Sequence, residues 1–252
     1  PPHRGLPDSI VDGPDEMRRK VRELHRIGAE VVKVATSGGV LSTRDDPRHA
    51  HFRPAELDVL VEEATAAGMF VMAHAQGADG IKNAVRAGIR SIEHGVFLDD
   101  EGIELMLERG TWLVPTLMAP QGVLDAIDAG ASLPPAVGEK ARASVAIHRL
   151  AVRRAVEAGV RVAMGTDSGV TPHGQNLREL ELMVECGMTP AAALEATTRS
   201  AAELMGLDSD LGTLEDGKLA DLVVVEGDPY DFSDYADRVS AVWKAGRRVV
   251  GA

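Results

Sequence analysis

Residues 71–95 read VMAHAQGADGIKNAVRAGIRSIEHG, and this stretch decides the fold class. MFVMAH (69–74) is a short extended run, Asp79 to Ala87 reads as a helix, Gly88 stops it, and IRSIEH (89–94) is extended again. A strand, a helix, a glycine and a second strand make one crossover unit of a parallel sheet. The unit recurs on both sides. Upstream, a helix from Pro14 to Ile27 opens on proline with acidic Asp15 and Glu16 in its first turn and carries Val21, Leu24 and Ile27 at helical spacing. Gly28 ends it, and EVVKVAT (30–36) follows as a β-branched run closed by Ser37-Gly38-Gly39. Pro54 opens the next helix, with Leu57, Leu60, Val61 and Ala64 on one face and Gly68 as its stop.

Downstream, Asp99 to Arg109 is helical, Gly110 caps it, and TWLVPTL (111–117) is a strand. After a Gly/Pro-containing stretch (119–138), a long helix runs from about Glu139 to Ala158, and VRVAMGTD (160–167) is the fifth strand. Helices are expected near 175–186, 190–196 and 199–205. From Leu211 the pattern changes to short strands with tight turns. Five repeating strands suit a doubly wound sheet, and a closed barrel needs eight; periodicity leaves both open. No GxGxxG follows any strand and no GxxxxGK[ST] occurs, so a nucleotide-binding Rossmann-like domain has only the alternation behind it.

Composition narrows the function classes. The 252 residues are 44% apolar and 26% charged, the balance of a globular chain. Lys plus Arg number 27 against 39 Asp plus Glu, and the net charge of −12 disfavours nucleic-acid backbones and anionic membrane surfaces. The single cysteine, Cys186, excludes an internal disulfide and a cysteine-based zinc knuckle in this sequence. No apolar run approaches the roughly 18 residues of a membrane span. No leader is visible, so the expected location is cytoplasmic. The sequence starts Pro1-Pro2-His3 without Met, which reads as a cut end.

The chemistry lies at the strand ends. Lys33 sits within VVKVAT, His74 ends VMAH, His94 ends SIEH and Asp167 ends MGTD. Parallel α/β folds bind ligands outside the carboxyl ends of their strands, so these four side chains are expected to converge. Two neutral imidazoles and a carboxylate suit zinc or another divalent metal. Lys33, flanked by Val31, Val32 and Val34, is expected in a buried strand, where an unpaired cation is costly; it must be paired, neutral or modified.

The segments VVKVATSGGV, VMAHAQGADGIKNAVRAGIRSIEHG, WLVPTL, VAMGTDSGVTPHGQN and LGTLEDGKLADLVVV together resemble the metal-dependent amidohydrolase superfamily. The most similar branch is the imidazolonepropionase-related one that includes Xaa-Pro dipeptidases. The resemblance implies a (β/α)8 TIM-type barrel, here incomplete with about five βα units, over residues 1–206, and a small β-sandwich portion over residues 207–252. It further implies a binuclear divalent-metal centre, usually zinc. Lys33 would carry a CO2-derived carbamate bridging the metals. His74 and His94 would bind the second metal. Asp167 would ligate the first and act as general base and acid. The implied activity is hydrolysis of an amide or peptide bond in a small substrate by a metal-activated water. An Xaa-Pro or other dipeptide, an N-acyl amino acid and a cyclic amide all fit.

The sequence departs from the family at one point. The His-x-His of the first barrel strand has no counterpart, and the single match, His49-Ala50-His51, falls in a polar loop after Gly39. The chain therefore reads as the C-terminal two-thirds of a family member, with three barrel strands preceding Pro1. Candidates for substrate contact are His3, Gln76, Thr116 and His173. His25 and His148, in helices, read as surface or packing residues, and Cys186 as structural. The competing expectation is a non-catalytic partial barrel, a fragment or pseudoenzyme, that forms a homo-oligomer or pairs with another chain through its open edges.

Overall fold

A computed structural model describes residues 9–39, 45–132 and 134–251. It comprises two compact units, with the boundary between Leu113 and Val114. The first unit begins with helix α1 (Pro14–Arg26), strand β1 (Val31–Ala35), α2 (Pro54–Ala66) and β2 (Phe70–Ala75). Helix α3 (Ala78–Ala87), β3 (Ser91–His94), α4 (Asp100–Arg109) and β4 (Trp112–Val114) follow. The four strands form one sheet in sequence order, and β1, β2 and β3 pair in parallel. The expected alternation is thus observed, with β1 and β3 two residues shorter than read, β2 shifted by one residue and β4 four residues shorter.

Local chemistry sets the helix ends. The Glu56 carboxylate accepts from the Arg53 N–H (2.8 Å) and the Gly13 N–H (2.9 Å), so one side chain caps α2 and ties it to the start of α1. Asp99 caps α4 by accepting from the Gly102 N–H at 2.9 Å. Gly88 and Gly110 end α3 and α4 in the left-handed region, φ 90° and 66°, as the helix–glycine–strand reading requires. The core between helices and sheet is aliphatic. Val32, Val34, Val71, Ala73 and Ile92 from the strands, and Leu57, Leu60, Ala64, Ile81, Ala84 and Met106 from the helices, are all buried.

The strand parity corrects one expectation. Val32 and Val34 are buried, whereas Lys33 and Ala35, on the opposite face of β1, are exposed. The expected burial of Lys33 is therefore not observed. Three valines around a residue in sequence do not bury it, because two of them point away from it.

The second unit contains α5 (Met118–Asp128), α6 (Pro135–Ala158), α7 (Arg178–Glu185), α8 (Pro190–Thr197) and α9 (Arg199–Met205). A three-stranded antiparallel sheet follows, ordered β5 (Leu222–Val225), β6 (Val239–Lys244), β7 (Arg247–Val250). Two features differ from the reading. The Gly/Pro-containing stretch 119–138, to which no element was assigned, holds α5. Pro120 falls in its first turn, where no N–H is needed, and Glu179 caps the helix from far along the chain. The segment 160–167, read as a fifth strand, forms no named strand; the Met164 N–H donates instead to the Ala196 carbonyl at 3.0 Å. TWLVPTL is likewise cut short at Val114, because Pro115 offers no donor and Thr116 turns to φ 51°. Among the described residues no helix is long and apolar enough to cross a membrane.

Candidate metal centre at the strand ends

In the first unit the register fixes which side chains share a face. Lys33 lies opposite Met72, and Met72 opposite Ser91; Ala35 lies opposite His74, and His74 opposite Glu93. Lys33, His74 and Glu93 therefore project from the same side of the sheet. His94 pairs with Ala75, which parity would assign to the other, helix-covered side. Its backbone is left-handed, φ 74°, and this breaks the pleat. The result is an edge-to-face contact of the His74 and His94 rings, centroids 4.6 Å apart and planes at 70°.

The surrounding backbone holds His74. Its Nε2 lies 3.2 Å from the Gly38 carbonyl oxygen. A carbonyl can only accept, so Nε2 is the donor in this contact. Metal-bound histidines commonly show this arrangement, one ring N–H donated to a backbone carbonyl and the other nitrogen available to the ion. Gly39 approaches the same ring: a Cβ there would lie 3.8 Å from the His74 Nε2 and Cε1 atoms. Ser37 Oγ accepts from the Gln76 N–H at 2.7 Å, locking the turn that follows His74.

One residue here was not anticipated. Glu93, 6% exposed, accepts from Ser91 Oγ at 2.6 Å beside His74. The i to i+2 spacing of Ser91 and Glu93 in a strand was the available signal. Gln76, anticipated as a pocket residue, is 5% exposed, and its Oε1 is buried with no hydrogen-bond partner. The His49-Ala50-His51 segment lies off the strands, as read, but it is not loose. Ala50 bridges to Ser37, His51 N–H donates to the Thr36 carbonyl, and the exposed His51 ring pairs with Asp45 at 3.0 Å. The donor set fits a metal in part. Two imidazoles meet and an exposed lysine shares their side of the sheet, yet among the described residues no group of three His, Cys, Asp or Glu is gathered as an ion site.

In the second unit Thr116 and Asp167 both have left-handed backbones, φ 51° and 52°. A β-branched residue in that region is strained, at a cost of order 1–3 kcal/mol. Among the described non-glycine residues only five have positive φ, and His94, Thr116 and Asp167 are three of them. Thr116 is buried, whereas Asp167 and His173 are exposed. Gly165 precedes the Thr166-Asp167 turn where a Cβ would collide with Val114 Cγ1. Glu179, fully buried, accepts from the Leu117 N–H (2.7 Å) and the Met118 N–H (2.8 Å), the two donors that follow Thr116. Burial pushes its carboxyl up to about 8, against the pull of those two bonds. No sequence signal at Glu179 pointed to this role, since its partners lie about sixty residues away. His148 is buried within α6 and packs there, and Cys186 is buried. His3 lies outside the described residues.

The family model described as the Amidohydrolase family matches residues 2–249, and the chain belongs to that family. It is 39% identical over 252 residues to an ochratoxinase of Aspergillus niger, covering 97% of this chain and 51% of that protein. An imidazolonepropionase of Rhizorhabdus wittichii is 33% identical over 181 residues, with 69% of this chain and 40% of that protein covered. Among solved structures, a Xaa-Pro dipeptidase with methionine bound in its active site superposes with a TM-score of 0.91 at 39% identity. That match covers 96% of this chain and 59% of the dipeptidase. The chain thus spans about half the length of the curated relatives it matches.

Proposed function

We propose that this chain carries part of the active site of a metal-dependent hydrolase that cleaves an amide bond in a small molecule. The observation carrying the reading is the His74–His94 pair, two imidazoles turned onto each other at the carboxyl ends of adjacent parallel strands by a strained backbone at His94. Family membership and the likeness to an ochratoxinase and a Xaa-Pro dipeptidase support amide hydrolysis. In this reading the parallel sheet is an arc of a (β/α)8 barrel, residues 1–206, followed by a β-sandwich portion over 207–252.

His74 would bind a divalent ion, zinc by its ligand chemistry, through Nδ1, with the Gly38 carbonyl fixing its ring, and His94 would supply the second imidazole. Lys33, exposed on β1, would join them as a carbamate formed with CO2. An ion bound there supplies a polarised amide carbonyl and an acidified water. Asp167 would take a proton on its carboxylate and release it to the leaving amine. Gln76, Thr116 and His173 would line the substrate, a dipeptide, N-acyl amino acid or cyclic amide. The test is release of amine from a panel of N-acyl amino acids and Xaa-Pro dipeptides by the zinc-loaded intact protein. Turnover that disappears in Asp167→Asn supports the reading; an inert protein across the panel removes it.

The second reading, a non-catalytic chain that associates with itself or another chain, is favoured by Val223, Val224, Val249 and Val250, exposed on the small sheet. Light scattering separates the two: a metal-loaded, active monomer argues against it.

A further inference from the structure

Helix α5 carries a glycine in its interior, Gly122, where alanine is the better helix former. No left-handed φ at that position calls for glycine. What calls for it is a neighbour: a Cβ on Gly122 would collide with Thr171 Cγ2, so the Thr171 methyl occupies the notch. Thr171 is 4% exposed, and its Oγ1 is buried with no hydrogen-bond partner. The methyl, not the hydroxyl, holds the residue in place.

Thr171 follows Asp167 by four residues, and the main chain ties the two together. The Val170 N–H donates to the Asp167 carbonyl at 3.1 Å, and the Gly169 N–H donates to the Thr171 carbonyl at 2.9 Å. Ser168 bridges to Thr171, and its hydroxyl lies 2.9 Å from that of Thr166. These bonds close residues 166–171 into one piece, and Asp167, at φ 52°, is its strained member. Close contacts fix the piece on both sides, Gly165 against Val114 before the turn and Thr171 against Gly122 after it. The helix that receives Thr171 is itself held, because Glu179 accepts from the Leu117 and Met118 N–H groups one turn before Gly122.

We infer that Thr171 is a positioning residue: its methyl, seated in the Gly122 notch of α5, sets where the Asp167 carboxylate is presented. This rests on the amide-hydrolase reading, in which Asp167 carries the proton, and adds the device that places it. A rigid joint suits that task, since misplacing a reacting group by about 1 Å can lower a rate on the order of 100-fold. The joint also accounts for a glycine inside a helix and for a threonine whose hydroxyl meets nothing.

The test compares the intact protein with Gly122→Ala, Thr171→Ser, Thr171→Val and the Gly122→Ala, Thr171→Ser double variant. Hydrogen exchange read by mass spectrometry follows peptides spanning 165–172, with the β2 peptide as control. Gly122→Ala should speed exchange in 165–172 by about tenfold or more and leave the control unchanged. On the panel of N-acyl amino acids and Xaa-Pro dipeptides it should lower kcat by about tenfold or more while KM changes by less than about threefold. In the double variant the new Cβ fills the space of the deleted methyl, and both effects should largely reverse. Thr171→Val, which keeps the methyl, should match the parent in both readouts. If Gly122→Ala does not fold, Thr171→Ser, which only empties the notch, decides by the same readouts. Three results would overturn the assignment: free exchange of 165–172 in the parent, unchanged exchange in both Gly122→Ala and Thr171→Ser, or a loosened turn with unchanged kcat. A parent inert on the panel whose turn loosens as expected retains the joint and removes the hydrolase. An active parent whose turn is indifferent to the notch does the reverse.

Discussion

The imidazoles of His74 and His94 meet edge to face, 4.6 Å between centroids, although the strand register pairs His94 with Ala75 rather than with His74. The left-handed backbone at His94 reconciles the two facts, since an ordinary strand conformation would send the ring to the helix-covered side. Strain of this kind persists where the surroundings over-determine it, and Gly95, itself at φ 68°, continues the same turn.

If the pair is a ligand pair, removing either ring weakens metal binding without unfolding the chain. His74→Ala and His94→Ala are each expected to lower zinc affinity by on the order of 100-fold or more. Dialysis against a chelating competitor with elemental analysis measures it. His94→Asn, which tolerates the left-handed backbone, should fold better than His94→Val and bind metal as poorly.

Lys33 is exposed, so its replacement should leave the fold intact. Lys33→Ala is expected to shift stability by no more than about 0.5 kcal/mol in urea unfolding. The same variant should lose turnover if a carbamate at Nζ bridges the ions. Unchanged turnover would remove the lysine from the site.

Glu179 predicts a pH dependence with a definite sign. Its folded pKa, about 8, stands above the ordinary carboxyl value of 4.5, so the folded state holds a proton that the unfolded state has released between those values. Stability from this group is full below about pH 4.5 and declines as pH rises toward 8. Glu179→Gln removes that slope, and thermal unfolding of both proteins from pH 5 to 8 should show the variant flatter. Glu179→Ala should be far worse at every pH, because it leaves the Leu117 and Met118 N–H groups unmet.

Gly165→Ala tests the packing that precedes Asp167. Its Cβ would strike Val114 Cγ1, and either side must move. A loss of about 1–3 kcal/mol in denaturant unfolding is expected. A Val114→Ala, Gly165→Ala double variant should recover part of the Gly165 penalty.

Cys186 is buried, and burial raises its thiol to about 11. The native protein should therefore resist alkylation by iodoacetamide at pH 8 and react once unfolded in guanidinium. Rapid native labelling, followed by mass spectrometry, would contradict the packing around α7.

Much of the first unit is legible from local rules. Helix-opening prolines, stopping glycines and β-branched runs are short-range signals, and they recover α1 to α4 and β1 to β4 within a few residues. The failures have non-local causes. Helix α5 is capped by Glu179 across about sixty residues, and the segment ending at Asp167 gives a backbone donor to Ala196 instead of a ladder partner. Lys33 misled because hydrophobic neighbours in sequence do not share a face with it. The histidines were legible as strand-end residues, but the turn that brings their rings together is a backbone conformation that only coordinates reveal.

The most direct measurement is X-ray absorption at the zinc edge of the intact, metal-loaded protein, compared with His74→Ala and His94→Ala. The account predicts bound zinc with imidazole scattering that diminishes in each variant. Zinc that stays bound with unchanged imidazole scattering in both variants, or no specific zinc binding in the folded parent, would contradict it.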